Sequence, residues 1–253
     1  MASEAATDTA PGSSGGAGDA NKPAAGERPS AATLIRLRGL TRNFERGGET
    51  LRVLQGIDLD IPEASFEALM GPSGSGKSTL LNLMAGLDRP TSGTIEIGGK
   101  RIDTMKEGEL AAWRANTIGF VFQSFNLIPV LTAVENVELP LLLSPVPKSE
   151  RRKRAETALR IVGLQDRLDH FPRQLSGGQE QRVAIARAIV NDPLIIVADE
   201  PTGDLDRKSA DDVLTLLEKL NQDLKKTILM VTHDPAAAER AKIVRHLDKG
   251  LLK

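Results

Sequence analysis

The chain contains no cysteine. That excludes a disulfide framework and thiolate chemistry, and a reducing compartment fits. It also lacks net charge of either sign: 33 Lys and Arg stand against 34 Asp and Glu, a formal balance of −1. No global basic field exists to attract nucleic acid, so no nucleic-acid partner is expected. Long apolar runs are missing too. "LPLLL" and "LIIVA" fall far short of the roughly 18–20 residues a membrane helix needs. Any membrane role must therefore pass through a partner. Residues 1–32 lack bulky apolar side chains beyond Met1 and are rich in Ala, Gly, Ser and Pro. Such a segment cannot bury enough surface to offset its ordering entropy, and a disordered tail is expected. It has neither the basic start nor the apolar middle of a secretory signal.

What remains, residues 33–253, suits one medium globular domain, since the chain is 40% hydrophobic and 26% charged. "LIRLRGL" alternates and reads as an edge strand; "LRVLQGIDLDI" alternates again, so a small antiparallel layer is expected at the start. "SFEALM", "TIGFVF", "LIIVAD" and "TILMVT" read as strands, the last two as short apolar runs of buried parallel type. "KSTLLNLMAGL" and "RKSADDVLTLLEKLNQDLKK" have helical spacing, and residues 131–170 are helix-rich. "KIVRHLDKGLLK" reads as a closing hairpin-like pair. Strands alternating with helices imply right-handed crossovers. The expected fold is α/β: a mainly parallel core sheet, an N-terminal antiparallel β subdomain, and a helical subdomain over about residues 125–180.

Four of these strands end in groups suited to nucleotide chemistry. In open α/β sheets ligands bind beyond the carboxyl ends of the strands, so the four groups would meet at one edge. After "SFEALM" comes "GPSGSGKST", a full G-x-x-x-x-G-K-[ST] pattern. Gly71, Pro72, Ser73, Gly74, Ser75 and Gly76 would wrap backbone N–H groups around phosphate oxygens; Lys77 would reach the β- and γ-phosphates. Ser78 offers a hydroxyl to Mg²⁺, and Thr79 a free first-turn N–H. Asp199, closing "LIIVAD", suits the Mg²⁺ shell, and Glu200, turned differently, is the candidate general base. His233 follows "TILMVT" and could sense the γ-phosphate and hold the attacking water; Gln123 follows "TIGFVF" and could bind Mg²⁺ or that water. The basic cluster "RRKR" has no interleaved aromatics and is flanked by Glu150 and Glu156, which favours a solvated helix face. Trp113 reads as packing.

A second anion-binding helix start stands in "LSGGQEQRVAIARA". Ser176 suits an N-cap, and Gly177 and Gly178 expose their N–H groups where the helix dipole is positive.

In this order the motifs resemble the ATP-binding subunit of ATP-binding-cassette (ABC) transporters, over roughly Leu34 to the C-terminus. "GPSGSGKST" looks like the Walker A motif, "LIIVADE" Walker B, "LSGGQ" the signature motif and "GDLD" the D-loop. Gln123 corresponds to the Q-loop glutamine, His233 to the switch histidine, and Phe44 to an aromatic that stacks on adenine. The resemblance implies ATP and Mg²⁺ as cofactors, and a head-to-tail dimer in which Ser176, Gly177, Gly178 and Gln179 face the γ-phosphate on the other subunit. It implies an integral membrane permease as partner, which would hold the chain on the cytoplasmic side of the membrane. "LNLMAGLDRPTSG" and "ADEPTGDLD" look most like the lipoprotein-release, macrolide-export and cell-division group. Export or lipoprotein release is the implied role; a mechanical module acting on a membrane partner without transport is the alternative. That group commonly has Asn at Asp204, Gly at Ala64 and an apolar residue at Glu67. Asp204 would put a charge near the dimer interface, and Glu67, early in its strand, is expected to reach solvent.

Overall fold

The alternating segments build the first layer. In the computed structural model, which describes residues 32–253, β1 (Thr33–Arg46) and β2 (Glu49–Pro62) form a long antiparallel pair. The expected tail, apart from Ala32, lies outside the described residues. β3 (Phe66–Met70) belongs to a second sheet, whereas β4 (Ser92–Ile97) and the short β5 (Lys100–Arg101) extend the first, in the order β2-β1-β4-β5. "LIRLRGL" is therefore not an edge strand: β1 lies between β2 and β4. Period-two alternation reports which face of a strand is buried, not how many neighbours flank it.

The second sheet is completed by β6 (Ile118–Phe122), β7 (Ile195–Asp199), β8 (Thr227–Val231), β9 (Ile243–Asp248) and β10 (Leu251–Leu252). Its order is β10-β9-β3-β8-β7-β6; every pairing is parallel except the closing β9-β10 hairpin. Successive residues of β7 serve opposite cores. Ile195 and Val197 pack with the apolar side chains of β1 and β2 and of the helix α1 (Lys77–Met84). Ile196 and Ala198 face the other side. There they meet α3 (Ala133–Glu138), α4 (Lys148–Ile161), α5 (Gly177–Ile189) and α6 (Arg207–Gln222). Burial on both faces is why these strands read as unbroken apolar runs.

Between β5 and β6 lies α2 (Glu107–Thr117), a helix that buries only Leu110, Trp113 and Thr117 and so is weakly marked by hydropathy. Trp113 packs there, close to Gly86, whose φ of 67° closes α1 in the left-handed conformation common after helix ends. The caps follow chemistry: Asp206 accepts from the Ser209 N–H at the start of α6, and Asp234 does the same for α7 (Pro235–Ala238) through Ala236.

Glu67 departs from expectation. It is only 3% exposed, on the face of β3 covered by Leu59, Ile61 and Met84, and solvent does not reach it. Arg245 of β9 compensates, donating from Nε to Glu67 Oε2 at 2.5 Å. The register explains the match: Glu67 stands opposite Ile243, and Arg245 is its diagonal neighbour on the same face.

Candidate active site

β3, β8, β7 and β6 are successive parallel neighbours, so their carboxyl ends line one edge of the sheet. The loop after β3 is held so closely that two of its glycines admit no side chain. A Cβ on Gly71 would lie 2.0 Å from the carbonyl oxygen of Leu247 on β9. At Gly76, where φ is 104°, it would meet the Leu54 side chain and the Val53 carbonyl of β2 at 2.9 Å. Gly76 starts α1 without a side-chain cap, which leaves first-turn N–H groups for an anion. Lys77 Nζ donates to the carbonyl oxygens of Gly71 and Pro72 at 2.8 and 3.0 Å. Ser75 is buried, and its hydroxyl has no partner among the described residues.

A 550 Å³ cavity brings together Ser73, Gly74, Gly76, Lys77, Ser78 and Thr79 of the loop with Phe44, Asp199, Glu200 and His233. Gln123 lines an adjoining cavity that shares Ser78, Asp199 and Glu200. Burial pushes the Asp199 carboxyl above the usual range; the Ser78 hydroxyl bonded to it and the nearby Lys77 charge pull the other way.

Glu200 is turned out of the strand's alternation. Its φ of 50° is left-handed, a conformation that costs a non-glycine residue energy and clusters at functional sites. Its N–H still donates to Val231 of β8 at 2.9 Å, and the turn carries its carboxylate to the end of β8. There Glu200 Oε2 lies 2.9 Å from His233 Nδ1. His233 is well exposed, whereas the Glu200 side chain is 19% exposed. The pair can hold and deprotonate a water facing the loop.

Phe44 is partly exposed, with the Arg42 guanidinium 4.3 Å from its ring centroid and Arg42 itself clamped by Asp88 at 2.8 and 2.9 Å. Arg42 and Phe44 share a strand face, a spacing of two that the sequence displays.

The other predicted group stays apart. Ser176 caps α5 through the Gln179 N–H, and the Gln179 side chain accepts from the Ser176 N–H in return. None of Ser176, Gly177, Gly178 and Gln179 lines the loop cavity. They pack instead beside the chain entering α6: a Cβ on Gly178 would lie 2.8 Å from Ser209 Oγ, and one on Gly177 3.4 Å from Leu205. Gln181, which sequence reasoning did not single out, is fully buried and donates to the carbonyls of Phe122 and Pro201 at 3.1 and 2.6 Å. It ties α5 to the ends of β6 and β7. Only its place in an apolar helix face hinted at it.

A P-loop after β3, a carboxylate pair at the end of β7, a histidine after β8 and a separate capped Ser-Gly-Gly helix start define an ATP-binding-cassette ATPase. A family model described as ABC transporter matches residues 54–203, and the chain belongs to that family. Relatives agree. The chain is 51% identical over 221 residues to the macrolide export ATP-binding/permease protein MacB 1/2 of Paracoccus denitrificans, a match covering 87% of this chain but 33% of that protein. The chain thus spans about a third of the MacB relatives. It covers 89% of the ABC transporter ATP-binding protein YknY of Bacillus subtilis, at 52% identity over 206 residues and 81% of this chain. Among solved structures it resembles a dimeric post-hydrolysis state of the ATP-binding cassette MJ0796, bound to ADP and Pi. The TM-score is 0.79 at 44% identity, covering 87% of this chain and 98% of that one. MJ0796 comes from Methanocaldococcus jannaschii.

Proposed function

We propose that the chain works as a head-to-tail dimer whose ATP-driven closure moves an integral membrane permease, at the cytoplasmic face of the membrane, in export or lipoprotein release. One observation carries the dimer: two anion-binding elements on the same chain do not meet. The loop cavity holds Lys77, Asp199 and Glu200, while Ser176 stands exposed at the start of α5, outside that cavity. A two-fold pair places each α5 start against the other subunit's loop and completes two sites at once. The MJ0796 cassette was solved as a dimer, which supports this arrangement.

In each site the loop and Lys77 bind the triphosphate, and Phe44 stacks on adenine with its ring backed by Arg42. Glu200 takes the proton of the attacking water, and His233 orients that carboxylate. The donors beside the loop fit Mg²⁺: a hydroxyl of Ser78, an amide oxygen of Gln123 and one carboxylate, Asp199. All are hard oxygen ligands. Among the described residues no cluster of three or more His, Asp or Glu competes as a dedicated metal cage, and Mg²⁺ in phosphate sites takes few protein ligands. The ion, when bound, would neutralise developing phosphate charge.

The dimer is tested by mixing two inactive variants. Ser176→Arg and Lys77→Ala should each bring hydrolysis close to background. Mixed, they should restore part of it, because one site of the mixed dimer pairs an intact loop with an intact α5 start. No restoration would show that the two elements serve the same subunit.

The permease dock is supported by a second cleft, 460 Å³, lined by Leu87, Phe120, Phe122, Leu143 and Arg187. Leu143 is 79% exposed, and among the described residues no helix is long and apolar enough to cross a membrane. Such an apolar cleft next to Gln123 suits a permease segment that senses the nucleotide site. Leu143→Glu should lose the copurifying membrane protein, by about 30-fold if Leu143 is an anchor worth some 2 kcal/mol, with ATP binding unchanged. Undiminished copurification would place the dock elsewhere.

A further inference from the structure

Asp204 does not stand idle. It accepts a hydrogen bond from Gln123 Nε2 at 2.7 Å, across 81 positions of sequence. The approach is built in. The neighbouring Gly203 lies so close that a Cβ there would sit 2.9 Å from Gln123 Nε2 and 3.0 Å from Cδ. The Gln123 amide is thus laid against the Gly203 Cα and gripped at its nitrogen end.

The chemistry of the grip decides which end of the amide is left over. A carboxylate oxygen accepts and has no N–H to give, so only the NH₂ end of Gln123 can face Asp204. The carbonyl Oε1 then occupies the other branch of the amide. Gln123 lines a cavity with Ser78 and Asp199, and with the nitrogen branch taken by Asp204 the oxygen branch is the one left to serve it. An Asn at 204 carries both a donor and an acceptor, and would allow the Gln123 amide either way round. A metal ion can use only the oxygen end.

We propose that Asp204 is a positioning residue that fixes the Gln123 amide so that its Oε1 is presented to the divalent cation accompanying ATP. The inference rests on the ATP-and-Mg²⁺ reading above and deepens it. It turns a charge expected to trouble the dimer interface into an internal link between the loops after β6 and β7. Gly203 and Asp204 act together: the glycine admits the amide, and the carboxylate sets its direction.

The test measures binding, not turnover. Dissociation constants of a fluorescent ATP analogue are compared in EDTA and in saturating Mn²⁺; their ratio is the gain in nucleotide affinity that the metal brings. Asp204→Ala should lower that gain about fivefold, the size of one net hydrogen bond at an exposed position, and Asp204→Asn about twofold, since it leaves the amide two orientations, with affinity in EDTA unchanged in both. Gln123→Ala should lower it at least as much. In the Gln123→Ala background, Asp204→Asn should change nothing further. A gain within twofold of the unsubstituted protein in Asp204→Ala overturns the proposal. So does an equal loss that persists in the Gln123→Ala background, since that is a bare charge effect. Failure of the unsubstituted protein to bind the nucleotide at all would instead sink the ATP reading itself.

Discussion

Glu200→Gln lowers ATP turnover by roughly 10²–10⁴-fold, the usual contribution of a positioned general base, while ATP affinity stays within about twofold. The amide is nearly isosteric with the carboxylate and can still bond to His233, so the geometry at the end of β8 survives. What it loses is the ability to accept a proton from water at the moment of attack. Binding is not expected to suffer, because the groups assigned to the triphosphate, the loop backbone and Lys77, and to its metal, Ser78, Gln123 and Asp199, are left intact by the substitution. With binding preserved and chemistry blocked, the ATP-bound dimer should accumulate, visible as a nucleotide-dependent doubling of mass in size-exclusion chromatography with light scattering. Full turnover in this variant would remove Glu200 from the base role. The left-handed backbone at Glu200 gives the prediction its structural footing, since a φ of 50° at a non-glycine residue is maintained only where surroundings enforce it.

Arg245→Ala is the second large effect, and it acts on stability. It leaves the Glu67 carboxylate without its partner at a position only 3% exposed. Removing one member of a buried pair costs about 3–5 kcal/mol. For a domain of this size that corresponds to a fall in Tm of roughly 10 °C. Replacing both residues with apolar side chains, Glu67→Leu with Arg245→Met, should recover most of the loss, because the Leu59, Ile61 and Met84 surroundings receive a hydrocarbon well. The readout is thermal unfolding by circular dichroism. If Arg245→Ala melts within about 2 °C of the unsubstituted protein, the pair is not what lets Glu67 stay buried.

Much of the nucleotide site was legible because its signals are local. "GPSGSGKST" is a backbone shape written in glycines, and Gly71 and Gly76 prove to be positions where no side chain fits. The strand after which each polar group falls is announced by its own apolar run, and parallel pairing then brings Asp199, Glu200 and His233 into one cavity with the loop. Ser176 and Gln179 form the reciprocal cap that their three-residue spacing implies. These features need only neighbours in sequence and a rule about strand ends.

Other features depend on which distant segments meet. Whether β1 is an edge or an interior strand depends on β4 joining it, and alternation in β1 cannot carry that information. From its place in the strand Glu67 reads as a solvent-facing exception; its burial rests on Arg245, 178 positions away. Gln181 joins α5 to two strand ends through backbone carbonyls, which have no sequence signature at all. The Gln123–Asp204 bond is of the same kind: both residues were noted singly, and only their contact gives them a shared role. The sequence alone therefore determined the class of protein, its phosphate loop and the ends of its catalytic strands, because backbone conformation and periodic burial are encoded by adjacent residues. Tertiary structure alone decided how the exceptional charges are tolerated and which way the Gln123 amide points. A side chain's partner is set by packing in space, and that packing joins residues no local pattern relates.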